Sequence, residues 1–435
     1  MKRSILLLYV TAVVGMAVVL SPAGAGGATW YVGPGGSIQA AVNGASPGDT
    51  IVVSGEYVGD GATVNKPVTI TASWTDLITG KRPRINDGPE AYPGWYRTGF
   101  RIDPDGSGAK IIDFMFDCGQ VLTFGVFSFG ADDVSITGNT INGSAQAVTN
   151  WHGSNWKIIN NRINETETLG GAGGIGILIG SFRGGPAEKN VVIANRISGS
   201  ADDDIIYSRP AIALVSDARS GSPGGPVKKN LIAGNSCKST GKYGVGVELS
   251  QLTAGSNAGD VSDNVLVCNI CAYCAYGITL YSAGSDNFVG WDFRLDDLVA
   301  GVLENKISDE DTQRILSLVG NLGTIGNWIH HSQQDGIWAG SPLERGCFGN
   351  HVIGNLVQGS GANGIFMDLG SYGNEIRRNM VSGSGGCDRK DLGEANSWDA
   401  KPCGPAPKSG RKLYGRRGMT PSEEIEPVVL AHPLR

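Results

Sequence analysis

Charged and aromatic residues are scarce in this sequence of 435 residues, making up 17% and 7% of it, respectively. The formal net charge is −6, whereas proteins that bind nucleic acid need a basic surface, so no nucleic-acid partner is expected. Beyond residue 28 no apolar run is long enough to cross a membrane, and no transmembrane span is expected in the mature chain. The eight cysteines are too thinly spread for a disulfide-dense module.

Glycine, by contrast, is in excess, with 67 residues. Each glycine inside a helix costs about 1 kcal/mol, which disfavours long helices. The glycines follow no three-residue period, which excludes collagen. Hydrophobic residues make up 40% of the chain, enough to build a core. The composition therefore favours an all-β chain with many turns.

Residues 1–28 are typical of a secretory signal peptide. Lys2 and Arg3 precede an apolar stretch over 5–20, and small residues at 23–28 offer cleavage sites. An uncleaved N-terminal anchor is the alternative. We expect a secreted, cell-surface or periplasmic protein, and the oligomeric state stays open.

Eight asparagines mark copies of a loose apolar-x-apolar-x-x-Asn-x-apolar pattern. They are Asn139, Asn161, Asn195, Asn235, Asn269, Asn327, Asn355 and Asn379. Their spacings are 22, 34, 40, 34, 58, 28 and 24 residues, which suggests a unit of 22–28 residues with insertions. The spacing of 58 fits two units if residues 288–292 are a degenerate copy. We expect the asparagines to form a structural ladder at turns rather than a ligand site.

Short alternating segments precede most of these copies, and each begins with a small residue. A period of two is typical of a strand with one face inward and one outward. Units this short cannot bury an apolar face alone, so they must stack into a parallel β-solenoid. The copies predict an inward column with a spacing of about 4.8 Å. Its members are Ile141, Ile163, Ile197, Cys237, Cys271, Ile329, Val357 and Val381.

The repeats resemble those of right-handed parallel β-helix proteins, the pectin-lyase-like superfamily. Residues 36–53 and 66–70 are similar to the first coils of such proteins, where a short helix caps the core. Ser37 is a suitable N-cap for this helix, and Ile38, Ala41 and Val42 form one apolar face. The predicted fold is all-β, a single-stranded right-handed parallel β-helix over 29–385. Insertions are expected near 73–98, and near 293–320 with a helix at 308–319. A partly disordered extension with a basic run is expected over 386–435.

The resemblance implies several functions. Similar repeats occur in polysaccharide lyases and epimerases, in surface proteins and in the periplasmic copper-processing (NosD-type) proteins of nitrous-oxide reduction. The Gly-His-Gly and Asp-Pro-His-Asp motifs of catalytic members are missing from this sequence. We expect an exported protein that binds or processes polysaccharide or a cell-envelope glycan. A non-catalytic surface protein and a copper-related protein are the alternatives. Whether the chain is an enzyme stays open; a polysaccharide lyase or related carbohydrate-active enzyme is the class favoured.

One set of candidate catalytic residues lies around two neighbouring predicted strands. Arg209 and Lys242 occupy the same offset before these strands, and Asp217 and Glu248 follow them. A base, an acid and ligands for Ca²⁺ could converge there, as a lyase requires. A ladder of solvated charges is the alternative.

A second set of candidates lies on the outward face of the alternating segments. Counting from each small residue assigns Gly176 and Gly246 to this face, and aromatic and acidic side chains to its later part. Flat aromatic side chains suit stacking against sugar rings. The candidate carbohydrate-binding residues are Tyr281, Trp338, Phe366 and Asp368. An ordinary exposed or covered face is the alternative.

Cysteine and histidine pairs supply the remaining candidates. Cys237 and Cys271 are expected as a buried thiol pair or a disulfide, and Cys387 and Cys403 as a second disulfide. His330, His331 and Asp335 form the best copper or zinc alternative. Adjacent residues of a strand face opposite ways, so both histidines could bind one ion only if the chain turns there.

Overall fold

The computed structural model describes residues 27–91, 96–119, 121–169, 172–199, 208–218, 223–239, 243–252, 259–292, 326–341 and 346–403. The signal segment apart from residues 27–28, the helix expected at 308–319, Lys242 and the basic run lie outside these residues.

Three long sheets, in which every pairing is parallel, contain most of the regular secondary structure of the described residues. Sheet A consists of β1 (Thr29–Val32), β2 (Thr50–Val53), β5 (Thr69–Ala72), β8 (Lys110–Ile112), β11 (Ser135–Thr137), β14 (Lys157–Ile159), β20 (Val191–Ile193), β24 (Leu231–Ala233), β28 (Val265–Val267), β31 (Phe288–Gly290), β35 (His351–Ile353), β39 (Glu375–Arg377) and β42 (Ser397–Trp398). Sheet B consists of β3 (Val58–Asp60), β6 (Arg84–Asp87), β9 (Met115–Asp117), β12 (Thr140–Asn142), β15 (Arg162–Thr166), β21 (Arg196–Gly199), β25 (Ser236–Ser239), β29 (Ile270–Ala272), β32 (Trp328–His330), β36 (Leu356–Gln358) and β40 (Met380–Ser382). Sheet C consists of β4 (Ala62–Val64), β7 (Arg97–Ile102), β10 (Leu122–Phe129), β13 (Gln146–Trp151), β18 (Ile175–Phe182), β22 (Arg209–Asp217), β26 (Gly244–Leu252), β30 (Tyr276–Tyr281), β33 (Ile337–Gly340), β37 (Ile365–Met367) and β41 (Arg389–Asp391).

Shorter elements decorate the coils. The small strands are β16 (Thr168–Leu169), β17 (Ala172–Gly173), β19 (Ala187–Glu188), β23 (Val227–Lys228), β27 (Val261–Ser262), β34 (Cys347–Phe348) and β38 (Ser371–Tyr372). The helices are α1 (Ile38–Gly44), α2 (Trp74–Thr79) and a 3₁₀ turn (Pro104–Gly106). As expected, the Ser37 hydroxyl caps α1 by accepting a hydrogen bond from Ala40, and the helix buries Ile38, Ala41 and Val42.

Each coil visits sheet A, then sheet B, then sheet C, and the next coil stacks on it. This arrangement confirms the predicted parallel β-helix. The predicted inward column is also confirmed, because the register joins its members one to the next from Ile141 to Val381. Most of the column is fully buried. These side chains belong to one continuous apolar core inside the three sheets.

The predicted asparagine ladder lies at the tight turn between sheets A and B. Each side-chain amide donates to the Oδ1 atom of the next asparagine, from Asn139 to Asn379, over 2.9–3.1 Å. The preceding position of the turn is left-handed at Gly138 and Gly354, with φ of 70° and 68°, where glycine carries no steric penalty. The turns are thus buried without leaving their polar groups unpaired.

A second asparagine ladder, which the sequence patterns above do not include, stands at another corner of the coils. Its amides are joined in the same way, over 2.9–3.3 Å. The members are Asn150, Asn190, Asn230, Asn264, Asn287, Asn350, Asn374 and Asn396. In five coils the second-ladder asparagine precedes the first-ladder asparagine by five residues, as Asn190 precedes Asn195. That spacing is the signal by which the second ladder could have been found.

The expected degenerate copy at 288–292 is wrong. Cys271 pairs directly with Ile329, so the spacing of 58 residues is one coil with a long insertion. Residues 288–290 form β31 of sheet A within that same coil. The coils also continue beyond residue 385, because β41 and β42 extend sheets C and A. Within the insertion expected at 73–98, β6 continues sheet B, whereas α2 and its flanking loops stand outside the coils.

We predict that Asn235→Ala lowers the free energy of unfolding by about 3 kcal/mol, because it leaves the buried backbone N–H of Asn195 without an acceptor and removes one of the three acceptors of the Asn195 side-chain amide. Asn396→Ala is the matched control, since it removes the same acceptor from Asn374 at the half-buried end of its ladder. We expect a loss below about 1 kcal/mol there, because water can replace the acceptor. Urea denaturation measures the unfolding free energy of both variants. Equal losses of stability would contradict a larger contribution from the buried part of the ladder.

A half-buried histidine, His152, predicts acid sensitivity. The Nε2 atom of His152 accepts a hydrogen bond from the Phe182 amide at 2.8 Å, which requires the neutral ring. Burial, and to a lesser degree the charge of Arg183, lowers the pKa of His152 to about 4. The unfolded chain takes up this proton near pH 6.5, so the stabilisation is complete above that pH and is lost as the pH falls towards 4.

Between pH 7.5 and pH 5 this titration should cost about 2 kcal/mol of unfolding free energy. His152→Asn removes the titration and keeps a residue type that tolerates the left-handed backbone at this position, where φ is 65°. Urea midpoints at both pH values should therefore differ less in the variant. An unchanged pH dependence would assign the acid sensitivity to other groups.

Candidate functional site

The outer face of sheet C has two unlike halves. From β10 to β26 it carries a buried apolar cluster that includes Phe124, Trp151, Leu178 and Val215. From β26 to β37 polar and aromatic side chains replace it, and Tyr281 and Trp338 are half-exposed. The change from apolar to aromatic and acidic follows the sequence pattern. The later half is the candidate functional site.

The register on sheet C corrects the face expected for two glycines. Gly176 and Gly246 point inward: a Cβ atom at Gly246 would lie 2.6 Å from the Sγ atom of Cys271, and one at Gly176 would lie 2.6 Å from Ile197. Both therefore belong where sheets B and C pack closely. One outer column runs Glu248, Thr279, Trp338, Phe366 and Lys390. The neighbouring column runs Val215, Ser250, Tyr281 and Gly340.

Three of the four carbohydrate candidates form one cluster. The rings of Tyr281 and Trp338 stack with their centroids 6.0 Å apart and 29° between their planes. The indole Nε1 of Trp338 donates to Oδ2 of Asp368 at 3.2 Å. The other carboxylate oxygen of Asp368 accepts from the Leu369 amide at 2.8 Å. The pair of rings is therefore held at a fixed angle by a charge-assisted hydrogen bond.

Gly340 lets the Trp338 ring lie where it does. A Cβ atom at Gly340 would be 2.7 Å from the indole and 3.0 Å from Asp368. Any side chain there would push the ring away from its partner carboxylate. Gly340 is thus a positioning residue for the aromatic cluster.

The fourth candidate, Phe366, does not offer a stacking surface. Its ring is buried, and the Lys390 ammonium lies 4.6 Å from the ring centroid. This cation–π contact covers the ring and brings a positive charge to the edge of the site. The expectation that Phe366 stacks against sugar is therefore wrong for the conformation described.

Two buried hydroxyl groups lie beside the aromatic cluster. Among the residues that the structure describes, neither the Oγ1 atom of Thr279 nor the Oγ atom of Ser250 has a hydrogen-bond partner. Thr279 pairs with Trp338 across the strands, and Ser250 pairs with Tyr281. Buried hydroxyl groups without a partner are costly, by about 1–3 kcal/mol each.

The candidate catalytic residues do not come together. Arg209 and Asp217 are at opposite ends of β22, which puts their backbones about 26 Å apart at the usual rise of a strand. Glu248 is four residues along β26 from the partner of Arg209, about 13 Å away. All three are buried, with 4% of each exposed. The expected convergence is wrong for these three, and Lys242 lies outside the described residues.

Glu248 and Asp368 are also too far apart to act as a pair. Glu248 is separated from Phe366 by three strand steps, about 14 Å, and Asp368 lies two residues further along the chain. Glycosidase carboxylates act at about 5–10 Å.

The cysteine candidates behave in two ways. Cys387 and Cys403 are joined by a disulfide. Cys237 and Cys271 lie side by side on paired strands as buried free thiols. A hydrogen bond between these two thiols and their burial hold the pKa of Cys271 well above its usual range. They serve as core side chains in the inward column.

The histidine candidates meet where the chain turns. His331 has φ of 55°, and the Nδ1 atoms of His330 and His331 are 2.9 Å apart. Asp335 points elsewhere: it is buried and accepts two hydrogen bonds from Asn363. In the part of the chain that the structure describes, no three His, Cys, Asp or Glu side chains group as a metal site would. That holds for the copper or zinc set and for the Ca²⁺ suggested at Asp217 and Glu248.

The comparisons with known proteins support the fold. No protein-family model matches the sequence, and neither does any curated protein. The chain is similar to the catalytic domain of a GH87 alpha-1,3-glucanase in complex with tetrasaccharides, with 14% identity, a TM-score of 0.50, and coverage of 88% of this chain and 68% of that one.

Two further solved structures are similar. One is the GH136 lacto-N-biosidase from Eubacterium ramulus, with 11% identity, a TM-score of 0.48, and coverage of 85% and 67%. The other is an alginate lyase from Paenibacillus sp. str. FPU-7, with 14% identity, a TM-score of 0.34, and coverage of 86% and 99%. At 14% identity the likeness to the glucanase domain shows the fold alone. Over the described residues, no helix is long and apolar enough to span a membrane.

Thr279→Val should raise the free energy of unfolding by about 1 kcal/mol, because it removes a buried hydroxyl group that has no partner. Thr149→Val is the matched control, since Thr149 is equally buried on sheet C but donates to Gln146 at 2.8 Å. The free energy of unfolding of Thr149→Val should fall by about 1 kcal/mol, because this change removes a satisfied hydrogen bond. Chemical denaturation of both decides the matter, and a destabilised Thr279→Val would mean that its hydroxyl group is already satisfied.

Proposed function

We propose that this protein is exported and binds polysaccharide on the outer face of sheet C, at the cluster of Tyr281, Trp338 and Asp368. The observation that carries the proposal is the half-exposed, stacked ring pair locked to a carboxylate. Sugar rings present flat C–H faces to aromatic side chains and hydroxyl groups to polar ones. This cluster offers both kinds of partner within one strand spacing.

The polar neighbours of the cluster fit the same ligand. Asp368 lies against the ring pair and can accept hydrogen bonds from sugar hydroxyl groups. Lys390 adds a positive charge at the edge of the site, which suits a glycan with carboxylate groups. Binding is better supported than hydrolysis, because Glu248 and Asp368 are too far apart to share one glycosidic bond.

Trp338→Ala should weaken polysaccharide binding at least about tenfold, or about 1.4 kcal/mol, because it removes the stacking surface. The measurement is isothermal titration of the full chain with soluble alginate, polygalacturonate and carboxymethylated alpha-1,3-glucan. Gly340→Ala should weaken binding in the same direction by displacing the indole. Trp74→Ala is the control, since Trp74 is 74% exposed on α2, away from sheet C.

Two outcomes would contradict the proposal. One is a wild-type protein that binds none of the three polymers. The other is equal affinity of the Trp338→Ala and Trp74→Ala variants for the polymer that binds. Release of unsaturated uronate ends, seen as new ultraviolet absorbance during the alginate or polygalacturonate titration, would show processing in addition to binding.

A further inference from the structure

A second group of rings stands on the exposed outer face of sheet B. It consists of Tyr273, Trp328, His330 and His331, and we call it the sheet B ring patch. Tyr273 and Trp328 are 50% and 40% exposed. At the position of Trp328, earlier coils carry Thr140, Arg162, Arg196 and Ser236, and the coil directly before carries the apolar Ile270.

The four rings hold one another in place. Tyr273 stacks on His331 with centroids 5.2 Å apart and 14° between the planes. Trp328 lies 4.6 Å from the ring of His330. The Nδ1 atoms of the two histidines approach to 2.9 Å. The patch is therefore a preorganised surface, which reduces the entropy lost when a ligand binds.

Polar groups border the rings. The indole of Trp328 donates to Oε1 of Gln358 at 3.2 Å, which leaves the amide NH₂ of Gln358 at the ring edge. The Lys238 ammonium lies 5.7 Å from the centroid of Tyr273. Flat rings with hydrogen-bonding groups at their edges match the two surfaces of a pyranose.

The size of the patch argues against a protein partner. Exposed side chains of Tyr273 and Trp328, with Ile270 one coil before Trp328 and Met380 two coils after it, offer roughly 400 Å² of apolar surface. A stable protein interface needs about 800 Å² on each partner. Two residues further along the same strands the outer face is polar, with Gln358 following Leu356 and Ser382 following Met380. A narrow apolar strip with a polar edge suits a single extended glycan chain.

The location of the patch connects it to the candidate site. Tyr273 and Tyr281 belong to one coil, and Trp328 and Trp338 belong to the next. The two ring clusters thus occupy neighbouring faces of the same two coils, on either side of the corner between sheets B and C. From this placement we propose that the polysaccharide site continues around the corner, with the sheet B ring patch as a second contact for the same chain. The inference rests on the proposed function. It adds sheet B as a second binding face, which the proposed function does not require.

The test is the affinity of the full chain for the same three polymers. Trp328→Ala and Tyr273→Ala should each weaken binding of the polymer that binds by about tenfold, with Trp74→Ala unchanged. Gln358→Ala should weaken binding less, because it removes only a group at the ring edge. Thermal denaturation of each variant separates loss of binding from loss of fold. If the midpoint of Trp328→Ala falls, Trp328→Phe replaces that variant, and a smaller loss of affinity is expected for it.

The outcomes distinguish the two proposals. If Trp338→Ala loses affinity and neither Trp328→Ala nor Tyr273→Ala does, the second contact is refuted and the proposed function stands. If no variant loses affinity, or the wild type binds none of the polymers, both are refuted. If the wild type self-associates in light scattering and Trp328→Ala is monomeric, the patch is an interface between copies, which also overturns the inference.

Discussion

The side-chain amide hydrogen bond from one coil to the next is the interaction on which the rest of this structure depends. Two corners of the coils bury backbone groups that neither strand pairing nor water can satisfy. Each ladder asparagine accepts a backbone and a side-chain hydrogen bond from the coil on one side, as Asn235 does from Asn195, and it donates to Val192 there as well. Because every link is near 3 Å, the ladders hold the coils at one spacing and in one register.

A fixed register turns the outer surface into a grid. A coil can then differ in length without shifting its neighbours, as the 58 residues between Asn269 and Asn327 show. Residues far apart in sequence meet in one column, so Ser250, Tyr281 and Gly340 become adjacent. The rings on sheets B and C share two coils for the same reason. The stack supplies the positions, and only a few substitutions on it supply the chemistry.

The inward column and the first ladder could be predicted because both lie within a few residues of a tight turn of constant length. In all eight copies the residue of the inward column follows the ladder asparagine by two positions, as Ile141 follows Asn139. Sheet C could not be aligned in this way, because its strands range from three residues in β37 to nine in β22 and β26. Counting from the first small residue therefore put Gly246 outward and misjudged the neighbours of Glu248. Burial of Glu248 and Arg209 depends on packing across coils, which no local pattern reports.

Glycine serves both the packing of the coils and the display of side chains on their outer face. Inward glycines such as Gly277 let sheets B and C approach, since a Cβ atom there would lie 2.3 Å from the Cγ2 atom of Ile329. Outward glycines do something else: Trp151 lies over Gly180 and Trp338 lies over Gly340. At strand spacing a large ring can lie flat on a parallel sheet only where a neighbouring position has no side chain. Trp151 is packed into a buried cluster and Trp338 is half-exposed. A ring lying over a glycine can therefore either cover the sheet or remain accessible to a ligand. The excess of glycine is therefore also what allows this fold to present aromatic rings.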